Sequence, residues 1–318
     1  MKNNFLFLLS ALCLATLFPG CTPAQNTDSI NVYTRSDACG AAQTWAQYLG
    51  DYAQEDLLGT AVYGDPGLAE AVKRDTAGIG YNNIGYAYDM NTGKPVEGLI
   101  VVPIDQNENG RIDPDEDVYS TRKMLIEAIA TGHYPSPPAR DLNLVTHNEF
   151  KGITREFVRW TMTEGQRFVD EAGYIALPQK QLSEELLKVG ESSIQPEMEG
   201  TITISGAWAL YPMVVKWAEE FQKIYPDVEF DISAGGAGKG LADAVGELVD
   251  LGMVSRKIYP AEIEKGAIWA SVTKDAVVPV MNSNNPVANE LLIQGLKKQT
   301  FIDIWITGQV TNWPEIVK

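Results

Sequence analysis

Three segments of the chain share one local design, in which a predicted strand runs into a turn of small residues that opens a predicted helix. These segments are TRSDACGAAQTW (34–45), ISGAWALYPMVVKW (204–217) and ISAGGAGKGLADAV (232–245). Small residues let backbone N–H groups approach a bound group, and the first turn of a helix carries unpaired donors and a partial positive charge. Repeated strand-to-helix units place the chain in the α/β class, and three such turns together predict a site for an anion.

Because the chain as a whole is acidic, an anion site needs positive charge from a few side chains close to it. The chain has 25 Lys and Arg against 42 Asp and Glu, a formal net charge of −17, whereas a nucleic-acid surface needs a basic footprint. Arg35, Lys239 and Arg256 are the candidate local cations. Three Cys and two His exclude a disulfide scaffold and the usual zinc or iron sites.

Residues 1–21 have the pattern of an export signal. MKNNFLFLLSALCLATLFPGC has one Lys before an uncharged apolar run that is shorter than the roughly 20 residues of a membrane span. Its last five residues resemble a bacterial lipobox, in which the Cys becomes the lipidated first residue of the mature protein; ordinary secretion with a chance Cys is the alternative. We expect Cys21 to be lipidated, residues 22–29 to form a tether, and the protein to be exported and held at the cell envelope.

Apolar patterns predict the main strands and helices. Short apolar runs predict strands at 30–33, 99–104, 142–146, 201–205, 229–233 and 276–281. Apolar side chains at spacings of three and four predict one helix from Pro212 to before Pro226 and another over 156–172, which ends at Gly173. The polar stretch 179–200 is predicted to be a helix-containing connector.

Motifs along both halves of the chain resemble those of the phosphate-binding proteins of ABC importers. Residues 200–318 resemble the first half of such a protein, through Gly-x-x-x-Leu-Tyr-Pro (206–212), SAGGAGKG (233–240), VDLGMVSR (249–256) and Thr-Gly-x-x-Thr-Asn-Trp (307–313). Residues 30–178 resemble the second half, through Arg-x-Asp-x-x-Gly (35–40), AGIGY (77–81), YPSPPARDLNLVT (134–146) and GQRFVDEAGYIALP (165–178). The two halves therefore stand in the reverse of the family order.

The resemblance implies a two-lobed periplasmic-binding-protein fold of type II, in which each lobe is a mixed α/β sheet flanked by helices, here in circularly permuted order. Termini that lie close together make a permutation tolerable, and a truncated tandem protein is the alternative. A first lobe is expected to combine 30–104 with 283–318, and a second lobe to span 140–282, which includes the connector. Residues 117–139 would connect the lobes.

The resemblance further implies that the three turns hold an oxyanion between the lobes. The expected ligand-binding residues are Arg35, Asp37, Cys39, Gly40 and Ala41 in the first turn, Ala207, Trp208, Ala209 and Leu210 in the second, Gly236, Ala237, Gly238 and Lys239 in the third, and Ser255 and Arg256 beyond it. Family members usually carry Ser and Thr hydroxyls in these turns, and nearly all are absent here. Because a hydrogen bond to a charged group contributes roughly 1.5 to 3 kcal/mol, the sequence leaves the identity of the anion open.

Three of these residues have more than one interpretation. Asp37 precedes a helix and is expected to cap it, although a carboxylate there could also accept the proton of a monohydrogen anion. Cys39 near a helix N-terminus has either a lowered thiol pKa or, as we expect, the role of a small space-filler. Trp208 is either a pocket wall for a larger ligand or a core aromatic.

Segment 105–116 matches the calcium-loop pattern D-x-[DN]-x-[DN]-G-x5-E at every specified position. The expected oxygen ligands are Asp105, Asn107, Asn109, Arg111 through its carbonyl, Asp113 and Glu116. A polar turn rich in Asp and Asn is the alternative. We expect a structural Ca²⁺ that fixes the connection between the lobes rather than a sensor site.

No Ser, Cys or His stands in a context that supplies a nucleophile with its base, so we expect a binding protein and not an enzyme. The expected function is that of a periplasmic lipoprotein that closes two lobes on phosphate or a similar oxyanion and delivers it to an ABC permease in the inner membrane. The alternative is a calcium-stabilised surface or adhesion lipoprotein that keeps the fold without transport. The sequence is compatible both with a monomer and with a dimer in which two chains exchange lobes.

Overall fold

A computed structural model describes residues 28–50, 52–192 and 198–317 of the chain. The expected export signal, Cys21 and most of the expected tether lie outside these residues. None of the helices within them is long and apolar enough to cross a membrane.

The described residues form nine strands and eleven helices. The strands are β1 (Asn31–Arg35), β2 (Thr60–Val62), β3 (Gly78–Asn83), β4 (Leu99–Val101), β5 (Ala139–His147), β6 (Gly200–Gly206), β7 (Val228–Ala234), β8 (Leu251–Val254) and β9 (Ala267–Asn282). The helices are α1 (Gly40–Gly50), α2 (Gly64–Arg74), α3 (Ile84–Ala87), α4 (Arg122–Thr131), α5 (Gly152–Met162), α6 (Gln179–Val189), α7 (Tyr211–Gln222), α8 (Ala237–Val245), α9 (Pro260–Ile263), α10 (Ala288–Gln294) and α11 (Lys298–Trp305). Short 3-10 turns lie at Gln54–Asp56, Glu164–Phe168 and Trp313–Glu315.

Two separate apolar cores divide the molecule into two lobes. The first core takes its side chains from residues 30–134 and 276–313, with Trp45 and Trp305 at its centre. The second core takes its side chains from 142–272 and contains Trp217. The first lobe is thus built from both ends of the described chain and the second lobe from its middle.

A single mixed sheet runs through both lobes in the order β2-β1-β3-β9-β5-β8-β6-β7, with β4 also paired to β9. The 16-residue strand β9 pairs antiparallel with β3 in the first lobe and with β5 in the second. Most of its residues are buried, which explains a sequence rich in Val and Ala rather than one that alternates apolar and polar residues. β5 and β9 therefore join the lobes.

The two ends of the described chain lie side by side. Trp313 N donates to Asp28 O at 2.7 Å, and Ile30 N donates to Thr311 O at 2.7 Å. Such neighbouring ends are what a circular permutation requires. The permuted order itself stays a prediction.

The predicted strand 276–281 is only the last part of β9, and three other predicted segments differ from the observed structure. Strand 99–104 ends at Val101, because Pro103 has no N–H with which to continue a ladder. The helix predicted over 156–172 is divided at Thr163 into α5 and a 3-10 turn. Segment 117–139, predicted as the connection between lobes, contains α4 and packs Tyr119, Leu125 and Tyr134 into the first core.

Candidate functional site

The strand-to-helix turns predicted from the sequence lie together where the two lobes touch. Gly238 N, in the first turn of α8, donates to Ala38 O at 3.0 Å. A Cβ atom at Gly236 would lie 2.7 Å from Ala38 O, and one at Gly40 would lie 2.2 Å from Ser255 Oγ. At these glycines the backbone of one lobe thus approaches the other lobe more closely than any side chain would permit. The lobes are in a closed arrangement.

Arg35 lies at the end of β1 with its side chain fully buried. Its Nε and Nη2 donate to the two carboxylate oxygens of Asp37 at 2.8 and 2.6 Å, and its Nη1 lies 2.9 Å from Asp65 Oδ2. Burial opposes the charge, but the neighbouring acids, Asp65 foremost, raise the pKa of Arg35 above its ordinary value. One permanent cation is therefore held between two carboxylates. We call Arg35, Asp37 and Asp65 together the Arg35 cluster.

Asp37 does not cap the helix that follows it, and that prediction is wrong. Its carboxylate accepts from Arg35 and from Gly64 N, the latter at 3.2 Å. The cap is instead the sulfur of Cys39, which accepts from Ala42 N at 3.3 Å. A two-pronged, charge-assisted contact with a buried guanidinium outweighs a single bond to a backbone amide.

Cys39 is a neutral space-filler, as expected. Burial raises its thiol pKa to about 12, although Arg35 opposes the shift. The neighbouring Ala41 is buried in the same first core. Neither side chain offers a ligand the hydroxyl that the family pattern has in this turn.

The second turn directs most of its side chains away from the contact between the lobes. Ala207, Ala209 and Leu210 are buried in the second core, as is Ala237 of the third turn. These four residues can therefore reach a ligand only through their backbone.

Trp208 differs from its neighbours because it belongs to neither core. Its ring packs edge-on against Tyr63 of the first lobe with centroids 6.2 Å apart, and its carbonyl accepts from Tyr86 Oη at 3.2 Å. The indole Nε1 is buried, and no described residue accepts a hydrogen bond from it. Trp208 thus forms part of the contact between the lobes.

The other two predicted cations are already paired within the second lobe. Lys239 forms an ion pair with Asp243, one helical turn away. Arg256 donates to both carboxylate oxygens of Glu262, at 2.7 and 3.0 Å, and lies over the ring of Tyr259. Neither cation is directed at the Arg35 cluster in this closed arrangement.

Sequence reasoning missed a second buried charged pair, on the strands that join the lobes. Arg140 on β5 stands opposite Asp275 on β9, with Nη2 and Oδ2 3.7 Å apart. Arg140 Nη1 also donates to Thr44 Oγ1 at 3.0 Å. Burial raises the pKa of Asp275 to about 6 and lowers that of Arg140, while each partner's charge opposes the shift. The sequence signal that could have revealed this pair is the presence of charged residues within otherwise apolar strands.

The predicted calcium loop forms a compact turn on the first lobe. Asp105 and Glu116 are only 1% and 4% exposed. Glu116 Oε1 accepts from the backbone N of Gln106 and Asn107 at 2.8 and 3.1 Å, and Glu116 Oε2 accepts from Asp113 N at 3.2 Å. Asp105 likewise accepts from the backbone N of residues 109 and 110.

The polar side chains of the loop meet at Asp113. Asn107 and Asn109 donate to Asp113 Oδ2 at 3.0 and 2.7 Å and lower its pKa, and Arg111 Nε lies 2.8 Å from Oδ1. Within 28–50, 52–192 and 198–317, no group of three or more His, Cys, Asp and Glu side chains is arranged to hold a metal ion.

The contacts of the loop lie within the first lobe. Ile112 N donates to Ile293 O at 2.8 Å, and Asp105 N donates to Leu296 O at 3.0 Å. Gln106 Nε2 donates to His133 O at 2.8 Å, in the segment 117–139 that was predicted to connect the lobes and that packs into the first core. The role of the loop in fixing the connection between the lobes stays a prediction.

Comparison with known proteins places this fold among the binding proteins. Residues 191–317 match the sequence profile of the PBP superfamily domain. The chain is 23% identical to the phosphate-binding protein PstS 2 of Streptococcus agalactiae serotype V, over 100% of this chain and 99% of that protein. It is 22% identical to PstS 2 of Streptococcus pneumoniae serotype 4, over 91% and 88%.

A solved structure shows the same architecture. The phosphate-binding protein of a phosphate ABC transporter from Streptococcus pneumoniae TIGR4 superposes with a TM-score of 0.57 at 21% identity, covering 91% of this chain and 99% of that one. The predicted resemblance and the two-lobed α/β binding-protein fold are confirmed. The circular permutation is not shown by these comparisons.

Proposed function

We propose, starting from the two-lobed binding-protein fold, that this protein captures phosphate or a similar oxyanion outside the cytoplasm and delivers it to an ABC permease. The meeting of turns from both lobes beside the buried Arg35 is the observation that carries the proposal. The relatives named above are phosphate-binding proteins, and the solved neighbour belongs to a phosphate ABC transporter.

Opening of the lobes would expose the donors that an oxyanion needs. In the closed arrangement Gly238 N is occupied by Ala38 O. If the lobes part, that N–H at the start of α8 becomes available, as does the face of the Arg35 cluster. Backbone donors do not depend on the missing Ser and Thr hydroxyls.

The charge of the Arg35 cluster favours an anion that still carries a proton. One guanidinium stands against the carboxylates of Asp37 and Asp65. A protonated phosphate can donate to a carboxylate oxygen, whereas sulfate has no proton to donate and meets two negative charges. We therefore expect phosphate to bind more tightly than sulfate.

Isothermal titration with phosphate, sulfate, molybdate and tungstate tests this function. We expect one-site binding of phosphate that weakens at least tenfold in Arg35→Lys, which keeps the charge but loses the two-pronged geometry. Arg74→Lys is the matched control, because Arg74 is exposed and pairs with Glu70 along its own helix α2. Absence of heat with every anion, from folded and ligand-free protein, would refute oxyanion binding and leave the surface or adhesion lipoprotein.

No group at the site is prepared for covalent chemistry. The thiol of Cys39 is neutral and buried, and capture and release by lobe closure need no reactive side chain. A binding protein rather than an enzyme is accordingly the function we propose.

We propose that lipidation of Cys21 anchors the protein to the cell envelope. Support comes from the lipobox-like ending of residues 1–21. Expression of the full chain in bacteria with labelled palmitate should label the protein, and Cys21→Ser should abolish the label and release the protein from the membrane fraction. Labelling that survives the substitution would refute the anchor.

We propose that the loop at 105–116 binds Ca²⁺. The pattern of oxygen-bearing side chains and the burial of Asp105 and Glu116 support it. Ca²⁺ in excess should raise the melting temperature, because it binds only the folded loop. Glu116→Gln should abolish that rise, whereas Asp115→Asn, at an exposed loop position outside the ligand pattern, should preserve it. An unchanged melting temperature of the parent protein would refute the site.

A further inference from the structure

A large cavity of about 860 Å³ lies between the lobes and is separate from the Arg35 cluster. Thr44 and Gln47 of α1 line it from the first lobe, and Lys257 and Ile258 line it from the second. Neither Arg35 nor its two carboxylate partners are among the lining residues. The cavity is therefore a second space, to which both lobes contribute.

Cations outnumber acids in the lining of this cavity. Arg140, Arg256, Lys257 and Lys274 face a single lining acid, Asp141. Lys274 pairs with Asp141 at 3.0 Å, while Arg140 and Arg256 pair with Asp275 and Glu262, two acids outside the lining. Lys257 is exposed, and its ammonium has no ion pair within the described ranges. One cation therefore remains in excess when these partners are counted, in a chain whose formal charge is −17.

Arg140 is a mostly buried cation in the lining. Its side chain is only 7% exposed, and its Nη1 donates to the hydroxyl of Thr44, another lining residue, at 3.0 Å. A charge in such surroundings acts on an anion in the cavity with less screening by water than an exposed charge would.

The walls and the size of the cavity indicate that the acceptor has an organic part. Tyr134, Pro135, Ile258, Ile263 and Trp269 give the cavity extensive apolar surface. Its volume falls within the roughly 300 to 1,000 Å³ of small-molecule sites, far more than a lone tetrahedral anion fills. Apolar walls with a few convergent cations suit an organic molecule that carries an anionic group.

We propose that this cavity binds a phosphorylated organic molecule, whose phosphate meets Arg140, Lys257 and Lys274 and whose organic part lies along Tyr134 and Trp269. Because both lobes line the cavity, the bound molecule contacts both of them and favours their closed arrangement over an open one. The proposal concerns a second site and does not depend on anion binding at the Arg35 cluster.

Titration of the mature protein with glucose 6-phosphate, glycerol 3-phosphate and AMP tests the proposal. All titrations are done in buffer that contains saturating inorganic phosphate, which occupies the Arg35 cluster if that site binds it. We expect saturable binding of at least one probe. The double variant Lys257→Gln/Lys274→Gln should lower that affinity at least tenfold, because it removes two of the charges that meet the phosphate.

The double variant Lys123→Gln/Lys180→Gln is the matched control, since both lysines are exposed, lie outside the cavity and pair one helical turn along their own helices. It should bind the probes as the parent does, and melting curves should show that both double variants are folded. No binding of any probe would overturn the proposal, as would binding that the cavity variant retains. Binding that the cavity variant retains and Arg35→Lys abolishes would belong to the Arg35 cluster.

Discussion

Asp275 is the residue at which charge and burial conflict most directly. It is 1% exposed, and neither of its carboxylate oxygens has a hydrogen-bond partner among the described residues. Burial raises its pKa to about 6, and Arg140 is too distant to restore the ordinary value. The protonated form is therefore the one that the folded protein prefers in mildly acidic solution.

This conflict predicts a specific pH dependence of stability. Between the unfolded pKa of about 3.9 and the folded pKa of about 6, the native state binds more protons than the unfolded chain. The contribution of Asp275 to the free energy of unfolding is thus fully present below pH 4 and falls by about 3 kcal/mol as the pH rises through 6. Asp275→Asn, which resembles the protonated form, should lack this loss.

Urea unfolding of parent and variant between pH 4 and pH 7 measures the effect. The variant should gain stability over the parent as the pH rises, so the difference between the two proteins isolates residue 275 from every other titrating group. A difference that stays constant across the range would show that the pKa of Asp275 is not raised.

At the residue scale, sequence reasoning identified turns that meet between the lobes but not the partners of their charged residues. Arg35 and Asp37 could be placed from a short motif. Asp65, which completes the cluster, stands too far along the chain for any local pattern to connect it with Arg35. The pairing of Lys239 with Asp243 was accessible from the four-residue spacing on a helix, and it removes a cation that the sequence analysis assigned to the ligand.

At the element scale, prediction succeeded where one burial pattern extends over the whole element. The predicted strands 201–205 and 229–233 lie inside β6 and β7, and the helix predicted from Pro212 lies over α7. Only the last part of β9 was predicted, because its first half packs in a different lobe and carries Lys274 and Asp275 within the run. A strand that serves two cores has no single apolar pattern to detect.

The N-terminus of α4 provides a prediction for an element. Thr121 caps this helix, with its Oγ1 accepting from Met124 N at 3.2 Å. Thr121→Ala leaves that amide unpaired and should lower the free energy of unfolding by about 1 kcal/mol. Thr131→Ala, at the other end of the same helix, removes an exposed hydroxyl. That hydroxyl donates to carbonyls of its own helix and forms a hydrogen bond with His133 Nδ1, so its loss should cost less than half as much.

Denaturant melts of the two threonine variants measure this difference. Equal effects at the two ends would show that the hydroxyl of Thr121 is not a cap in solution.

At the scale of the whole molecule, the closed arrangement can be tested by cross-linking the lobes. A Cβ atom at Gly238 would lie 2.8 Å from Ala38 Cβ, about 1 Å closer than the usual spacing in a disulfide, so a slight parting of the lobes suffices. Ala38→Cys/Gly238→Cys should oxidise to a cross-linked form, which should exchange phosphate much more slowly than the reduced form, because the lobes can no longer part. The native Cys39 should not compete, because its thiol is buried and its pKa is about 12.

Gel mobility before and after reduction, together with phosphate exchange rates, measures the effect of the cross-link. Ala38→Cys alone is the control and should show neither change. Failure of the double variant to oxidise would mean that the two turns do not meet in solution.

The division of the first core between both ends of the chain has a consequence for synthesis on the ribosome. The second core is complete once residues 142–272 have emerged, whereas the first core also needs side chains from 276–313. The middle of the nascent chain can therefore fold while β3 still lacks β9, the neighbour that covers its edge. Translation that stops before residue 276 leaves a finished second lobe joined to an unfinished, aggregation-prone first one.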